Sequence, residues 1–292
     1  MASIGKVRLI RNPTASRAEF GVMAIHCAGA GGVEESRFML FPRVRVALVI
    51  LLSVSGNGCL KREQEDPRLL LLCAAGMREP VSKAVSKFEK ETGVGVDVQF
   101  GGSGSLLAMI DQVKADLYLA ADAGYIEEAS RRGSVFSRHR LGFQSPVLAW
   151  NSARKFDVTS LSDWVRGSTR SGMALPKTSA IGKVTEEVLK LEGELEEMAP
   201  RAHFVTVYEL ANAIQLGAVD SGIIWDTVAA QYEGVSVQEL SELSEVVSAV
   251  EVAVLLSSSF PDSATGLAQF LSNDKVARDL FKAHGLKTQE TP

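Results

Sequence analysis

The sequence predicts an α/β chain of two lobes, each a mostly parallel sheet flanked by helices, joined by two crossing strands. Three observations predict it. Short apolar runs alternate with amphipathic stretches of helical period, which is how βαβ units and parallel sheets read. The alternation runs from 69 to 132, then restarts after the long apolar run at 141–150. No Pro/Gly/Ser-rich linker separates the halves, so the long strands at 141–150 and 249–256 are the expected connections. The first lobe is expected at 69–145 plus 250–292, and the second at 146–249. Two strands joining two such lobes make a hinged clamshell. Pockets in such folds form at carboxyl ends of strands and at domain interfaces.

Residues 1–58 read as an extension and a signal peptide. Arg37, Arg43 and Arg45 precede the apolar run 46–52, which is too short to span a bilayer of roughly 20 apolar residues. Ser55-Gly56-Asn57-Gly58-Cys59 follows. Basic, apolar, small, then Cys is the order of a bacterial lipoprotein leader, with Cys59 as the lipidated first residue. Met39 would begin a leader of normal length, which leaves 1–38 as an upstream extension. The polar stretch Lys61-Arg62-Glu63-Gln64-Glu65-Asp66-Pro67 reads as a tether within 59–68.

The elements follow in order. Segment 69–74 is a continuous apolar run, as a strand buried on both faces reads. Val81, Ala84, Val85 and Phe88 place a helix over 80–92, stopped by Gly93. Strands are expected at 94–100 and 116–120, and helices at 105–113 and 123–132. After the strand at 141–150, a short helix opens at Ser160. Strands at 172–175, 203–207 and 221–225 then alternate with helices at 180–192 and 209–216. The strand 249–256, apolar except for Glu251, precedes terminal helices at 263–271 and 274–284.

Composition narrows the function. Hydrophobic residues are 46% and charged residues 23%, which excludes wholesale disorder and coiled coils. The net charge is −4 and no basic cluster exists, so nucleic acid is not an expected partner. The three cysteines form no C-x-x-C and the four histidines no H-x-x-x-H pair. Neither a cation site nor a cofactor is expected.

Four strand-to-helix turns draw attention. Phe100-Gly101-Gly102-Ser103-Gly104-Ser105-Leu106 combines glycines, which permit close backbone approach, with hydroxyls and free helix amides suited to an anion. Cys73-Ala74-Ala75-Gly76-Met77-Arg78-Glu79-Pro80 would set a second group of amides beside it. Lys177-Thr178-Ser179-Ala180-Ile181-Gly182-Lys183 and Gly222-Ile223-Ile224-Trp225-Asp226-Thr227 are the corresponding turns of the second lobe. Together they could enclose one small oxyanion with neutral dipoles.

Enzyme motifs fail. Ser105 replaces the last Gly of G-x-S-x-G, and Gly182-Lys183-Val184 lacks the rest of a P-loop. Asp122 reads as a helix cap rather than a carboxylate partner of Asp116. His139 and His203 have no evident partner, and Cys73 reads as a core thiol. No enzyme activity is expected.

With these landmarks the chain resembles the substrate-binding proteins of molybdate/tungstate ABC transporters. Phe88-Glu89-Lys90-Glu91-Thr92-Gly93, Ala115-Asp116-Leu117-Tyr118-Leu119-Ala120-Ala121-Asp122 and Asp220-Ser221-Gly222-Ile223-Ile224-Trp225 complete the set, which covers nearly all of 69–287. The resemblance implies a two-lobe periplasmic-binding-protein fold holding a tetrahedral oxyanion through hydroxyls and backbone N–H groups. Carried over residue by residue, the site is Gly76, Ser103, Ala180, Ile181, Val207 and Trp225. Many relatives have Ser at the position of Gly76 and a ligand-facing Tyr at that of Trp225. Two hydroxyls are therefore absent, and Arg78 is a candidate compensating charge. The implied partners are the anion, an ABC permease and, through Cys59, the membrane. The implied location is the periplasm or the outer face of the cytoplasmic membrane, as a monomer. Molybdate or tungstate is the leading ligand, with sulfate or another anion the near alternative. A sensor or enzyme on the same fold is the alternative of a different class.

Overall fold

In the computed structural model the protein is described at residues 68–167, 170–196 and 202–288. The leader expected at 1–58 and its Cys59 lie outside these residues, as does all but the last residue of the tether. Among the described residues, no helix is long and apolar enough to cross a membrane.

The first lobe begins with β1 (Arg68–Ala74), in which Leu69, Leu71, Leu72 and Cys73 are fully buried. A 3-10 turn, Ala75–Met77, leads into α1 (Arg78–Thr92). Pro80 sits in the first turn of α1, where a missing N–H is tolerated, and Gly93 ends it at φ +75°. Then come β2 (Gly95–Gly101), α2 (Ser103–Met109), β3 (Leu117–Ala120), α3 (Ala123–Arg131) and β4 (Val135–Gln144). The second lobe holds β5 (Pro146–Asn151), α4 (Leu161–Gly167), β6 (Ser171–Ala174), α5 (Ala180–Leu191), β7 (Ala202–Phe204), α6 (Val207–Gln215), β8 (Ser221–Trp225), α7 (Asp226–Ala229) and β9 (Val235–Gln238). The chain returns through α8 (Ser241–Ser244) to β10 (Ser248–Leu255), α9 (Pro261–Asn273) and α10 (Lys275–Ala283).

Among the described residues the strands form two five-stranded sheets, ordered β2-β1-β3-β10-β4 and β7-β6-β8-β5-β9. β1 pairs parallel with β2 and β3, while β10 runs antiparallel to both β3 and β4. In the second sheet β6 pairs parallel with β7 and β8, and β5 runs antiparallel to β8 and β9. Each sheet is thus mixed, with four strands pointing one way and one, β10 or β5, against them.

Three details differ from the sequence reading. The outward crossing passes at Ser145, between β4 and β5, but the return crossing precedes β10, in the 239–247 connection. Residues 135–140 belong to β4, although their half-exposed Val-Phe-Ser-Arg-His-Arg pattern is too polar to read as strand. Pairing with β10 decides it, and Arg138 and Arg140 lie 2.9 and 3.6 Å from the buried Glu251 carboxylate of that strand. Finally, Val207 opens α6 instead of ending a strand, because Thr206 caps the helix by accepting from the Glu209 N–H at 3.2 Å.

The hinge is held by side chains. Thr227 Oγ1 donates to Gln144 Oε1 at 2.6 Å, and the Gln144 amide donates to Ala121 O at 2.8 Å. Ser145 N–H donates to Asp226 Oδ1 at 3.0 Å, and Asp226 N–H donates back to Ser145 O at 2.9 Å.

Candidate binding site between the lobes

The carboxyl ends of the strands in both sheets meet through their turns. Behind β1, a Cβ placed on Gly76 would lie 3.2 Å from Val228 Cγ2, 3.6 Å from Val207 Cγ1 and 4.0 Å from Trp225 Cδ1. All three neighbours belong to the second lobe, so Gly76 brings the first lobe's backbone against α6 and α7. Behind β2, a Cβ on Gly102 would stand 2.1 Å from Thr178 O, and one on Gly104 would stand 2.2 Å from Lys177 O. Only glycine permits this approach. The Gly104 and Ser105 N–H groups both donate to Thr178 O, at 3.0 and 3.3 Å. The amides expected to face a ligand from α2 are therefore engaged across the cleft.

Ser103 keeps its hydroxyl for other use. It is 2% exposed. Its Oγ accepts from the Ala121 N–H at 3.2 Å, and its carbonyl accepts from the Tyr118 hydroxyl at 2.7 Å. The hydroxyl's own proton has no acceptor among the described residues. Burial pushes the Tyr118 phenol well up, so this strut remains a neutral donor.

In the second lobe the Ala180, Ile181 and Gly182 N–H groups of α5 make no hydrogen bond among the described residues, and neither do those of Val207 and Tyr208 in α6. Such orphan amides at helix N-termini carry partial positive charge. Trp225, 1% exposed, ends β8 within the buried core, and its Cδ1 reaches 4.0 Å from where a Cβ on Gly76 of the first lobe would stand. The other tryptophans lie elsewhere: Trp164 donates to Ser221 Oγ at 2.9 Å, and Trp150 stacks on Phe156 at 5.0 Å. Gly76, Val207 and Trp225 thus stand together. Ser103, Ala180 and Ile181 flank the neighbouring contact of Gly102 and Gly104 with Thr178.

Sequence reasoning missed several interlobe residues. Gln231 Nε2 reaches Gly76 O at 3.5 Å while its Oε1 accepts from the Tyr208 hydroxyl. Gln231 also lines a cavity of about 430 Å3 with Glu79, Tyr208, Tyr232 and His284. Lys183 of α5 lies 5.5 Å from the Tyr125 ring of α3. Ser179, at the N-cap of α5, is also buried. The only sequence signal for it was its place in a hydroxyl-rich turn.

The rejected candidates have ordinary roles. Asp122 accepts from the Gly124 N–H at 3.0 Å as the cap of α3, and Asp116 accepts from Leu70 N–H and Ser258 Oγ. Burial pushes the Cys73 thiol up, away from a nucleophilic thiolate. His203 is exposed, and the His139 Nε2 lies 3.5 Å from Ser137 Oγ. Arg78 is exposed and lies over the Phe100 ring at 4.1 Å, so its charge stands at the edge of the cleft. Among the described residues there is no cluster of metal-ligating side chains.

Known proteins share this fold. A binding protein of Haemophilus influenzae is 28% identical over 208 residues, spanning 70% of this chain and 85% of that one. The molybdate-binding protein ModA of Escherichia coli is 23% identical over 194 residues, 63% of this chain and 74% of its own. The periplasmic molybdate-binding protein of Azotobacter vinelandii superposes with a TM-score of 0.64 at 18% identity, covering 76% of this chain and all of that one. That likeness is one of fold. Residues 69–287 match the bacterial extracellular solute-binding proteins, and the chain belongs to that family.

Proposed function

We propose that the protein captures a tetrahedral oxyanion between its lobes and delivers it to an ABC importer, with molybdate or tungstate the leading ligand. The observation that carries the reading is the donor set. Helix amides of Ala180, Ile181 and Val207 from one lobe and the Ser103 hydroxyl from the other have hydrogens with no acceptor among the described residues. Dipoles of this kind stabilise an anion without a neutralising cation. A ligand touching both lobes favours the closed arrangement, which a permease can recognise. The protein acts outside the cytoplasm, held to the membrane by a lipid on Cys59, as a monomer without enzymatic activity.

Isothermal titration of the full-length chain against molybdate, tungstate, sulfate and phosphate tests it. Saturable binding of molybdate or tungstate well ahead of the other two is expected. Preference for sulfate moves the assignment to that anion, and no binding of any of the four overturns it.

A further inference from the structure

Ser179 stands where the loop after β6 becomes α5, one residue beyond the Thr178 carbonyl that meets Gly104 and Ser105 of the first lobe. It is 3% exposed. Its backbone is extended, φ −124° and ψ 137°, as an N-cap residue requires, yet its side chain makes no capping bond. Its hydroxyl makes no hydrogen bond to any described residue. Buried hydroxyls are nearly always paired, so an unpaired one calls for a partner. Nor is it locked in the core: the sealed side-chain oxygens without a hydrogen bond among the described residues are those of Ser171, Glu194 and Glu251. The hydroxyl thus keeps access to solvent beside the orphan Ala180 and Ile181 amides.

We infer that Ser179 is an anion-binding residue, supplying the second lobe's hydroxyl donor opposite Ser103 of the first. Gly76 has no side chain, Trp225 no hydroxyl, and Thr227 spends its proton on Gln144 Oε1, so these two serines are the buried hydroxyls of the facing turns with a proton left to donate. With one donor on each lobe, the two anion–hydroxyl bonds form together only when the cleft is shut. The same hydroxyl, with the adjacent amides, selects ligands that offer acceptor oxygens at this corner. The inference rests on the proposed oxyanion function.

The test is titration of full-length wild type, Ser179→Ala and Ser103→Ala with molybdate, tungstate and sulfate, alongside thermal unfolding without ligand. Ser179→Ala is expected to weaken binding roughly tenfold to a hundredfold, the range of a lost hydrogen bond to a charged group. Its unliganded melting temperature should not fall, because no protein hydrogen bond is removed. Unchanged affinity in Ser179→Ala, with wild type binding normally, overturns the assignment alone. A lowered melting temperature with unchanged affinity makes Ser179 a helix cap and overturns it too. A wild type that binds none of the anions overturns both this role and the proposed function.

Discussion

Trp225 is the residue on which the cleft assignment can be tested by eye. Its indole is buried, with Cδ1 4.0 Å from the place a Cβ on Gly76 of the first lobe would take. Opening the lobes wets this ring, while Trp164, bonded to Ser221, and Trp150, stacked on Phe156, keep their surroundings. Intrinsic fluorescence is therefore expected to change on addition of molybdate and to saturate with the binding isotherm. Trp225→Phe should remove most of that change and still bind, because the ring packs and donates no hydrogen bond to a described residue. A ligand-induced signal that survives Trp225→Phe would place the reporter elsewhere. At this scale the sequence was partly legible. Ser103, Val207 and Trp225 stood out through strand-to-helix position and resemblance. Ser179 did not, because a Ser before a helix ordinarily reads as a cap, and only the three-dimensional count of its bonds distinguishes the two.

The elements show why some boundaries were readable and others were not. β1 and β8 are apolar on both faces, and α3, α6 and α10 carry side-chain caps at Asp122, Thr206 and Asp274. Local chemistry suffices there. The first half of β4 and all of β9 are edge-like, with half-exposed residues, and become strands only through β10 and β5. The glycines of the turn before α2 looked like ligand-contacting positions. Their observed role is to admit the second lobe's backbone. Gly104→Ala would push a methyl to 2.2 Å from Lys177 O, closer than any real contact. The isolated first lobe tolerates it, since Gly104 is not in a positive-φ conformation. The expected result is a molecule that folds with nearly unchanged melting temperature but binds at least tenfold more weakly, with solution scattering showing a more open shape. Wild-type affinity in Gly104→Ala would remove this contact from closure.

For the whole molecule, the chemistry of the cleft sets its response to pH. The proposed donor set is backbone amides and serine hydroxyls, none of which titrates in the ordinary pH range. The phenols around it are neutral, since burial raises Tyr125 and Tyr232 to about 12 and Tyr208 higher still. Affinity for a fully ionised oxyanion is therefore expected to be flat from about pH 6 to about pH 9, the range in which only histidine and thiol groups ordinarily change charge. Stability has its own window: a phenol held neutral by burial contributes fully below its unfolded pKa of about 10, and that contribution is lost as pH rises from there through the folded value. The Thr178 carbonyl, bonded by Gly104 and Ser105 across the cleft, has one more implication. These bonds join backbone groups of the two lobes and need no cargo atom, so they favour the shut form independently of cargo. That lessens the conformational penalty on apparent affinity, but under the proposed function it would also present an importer with empty carriers shaped like loaded ones. Under the proposed function, an importer would then spend ATP on some vacant dockings, or sense the cargo itself.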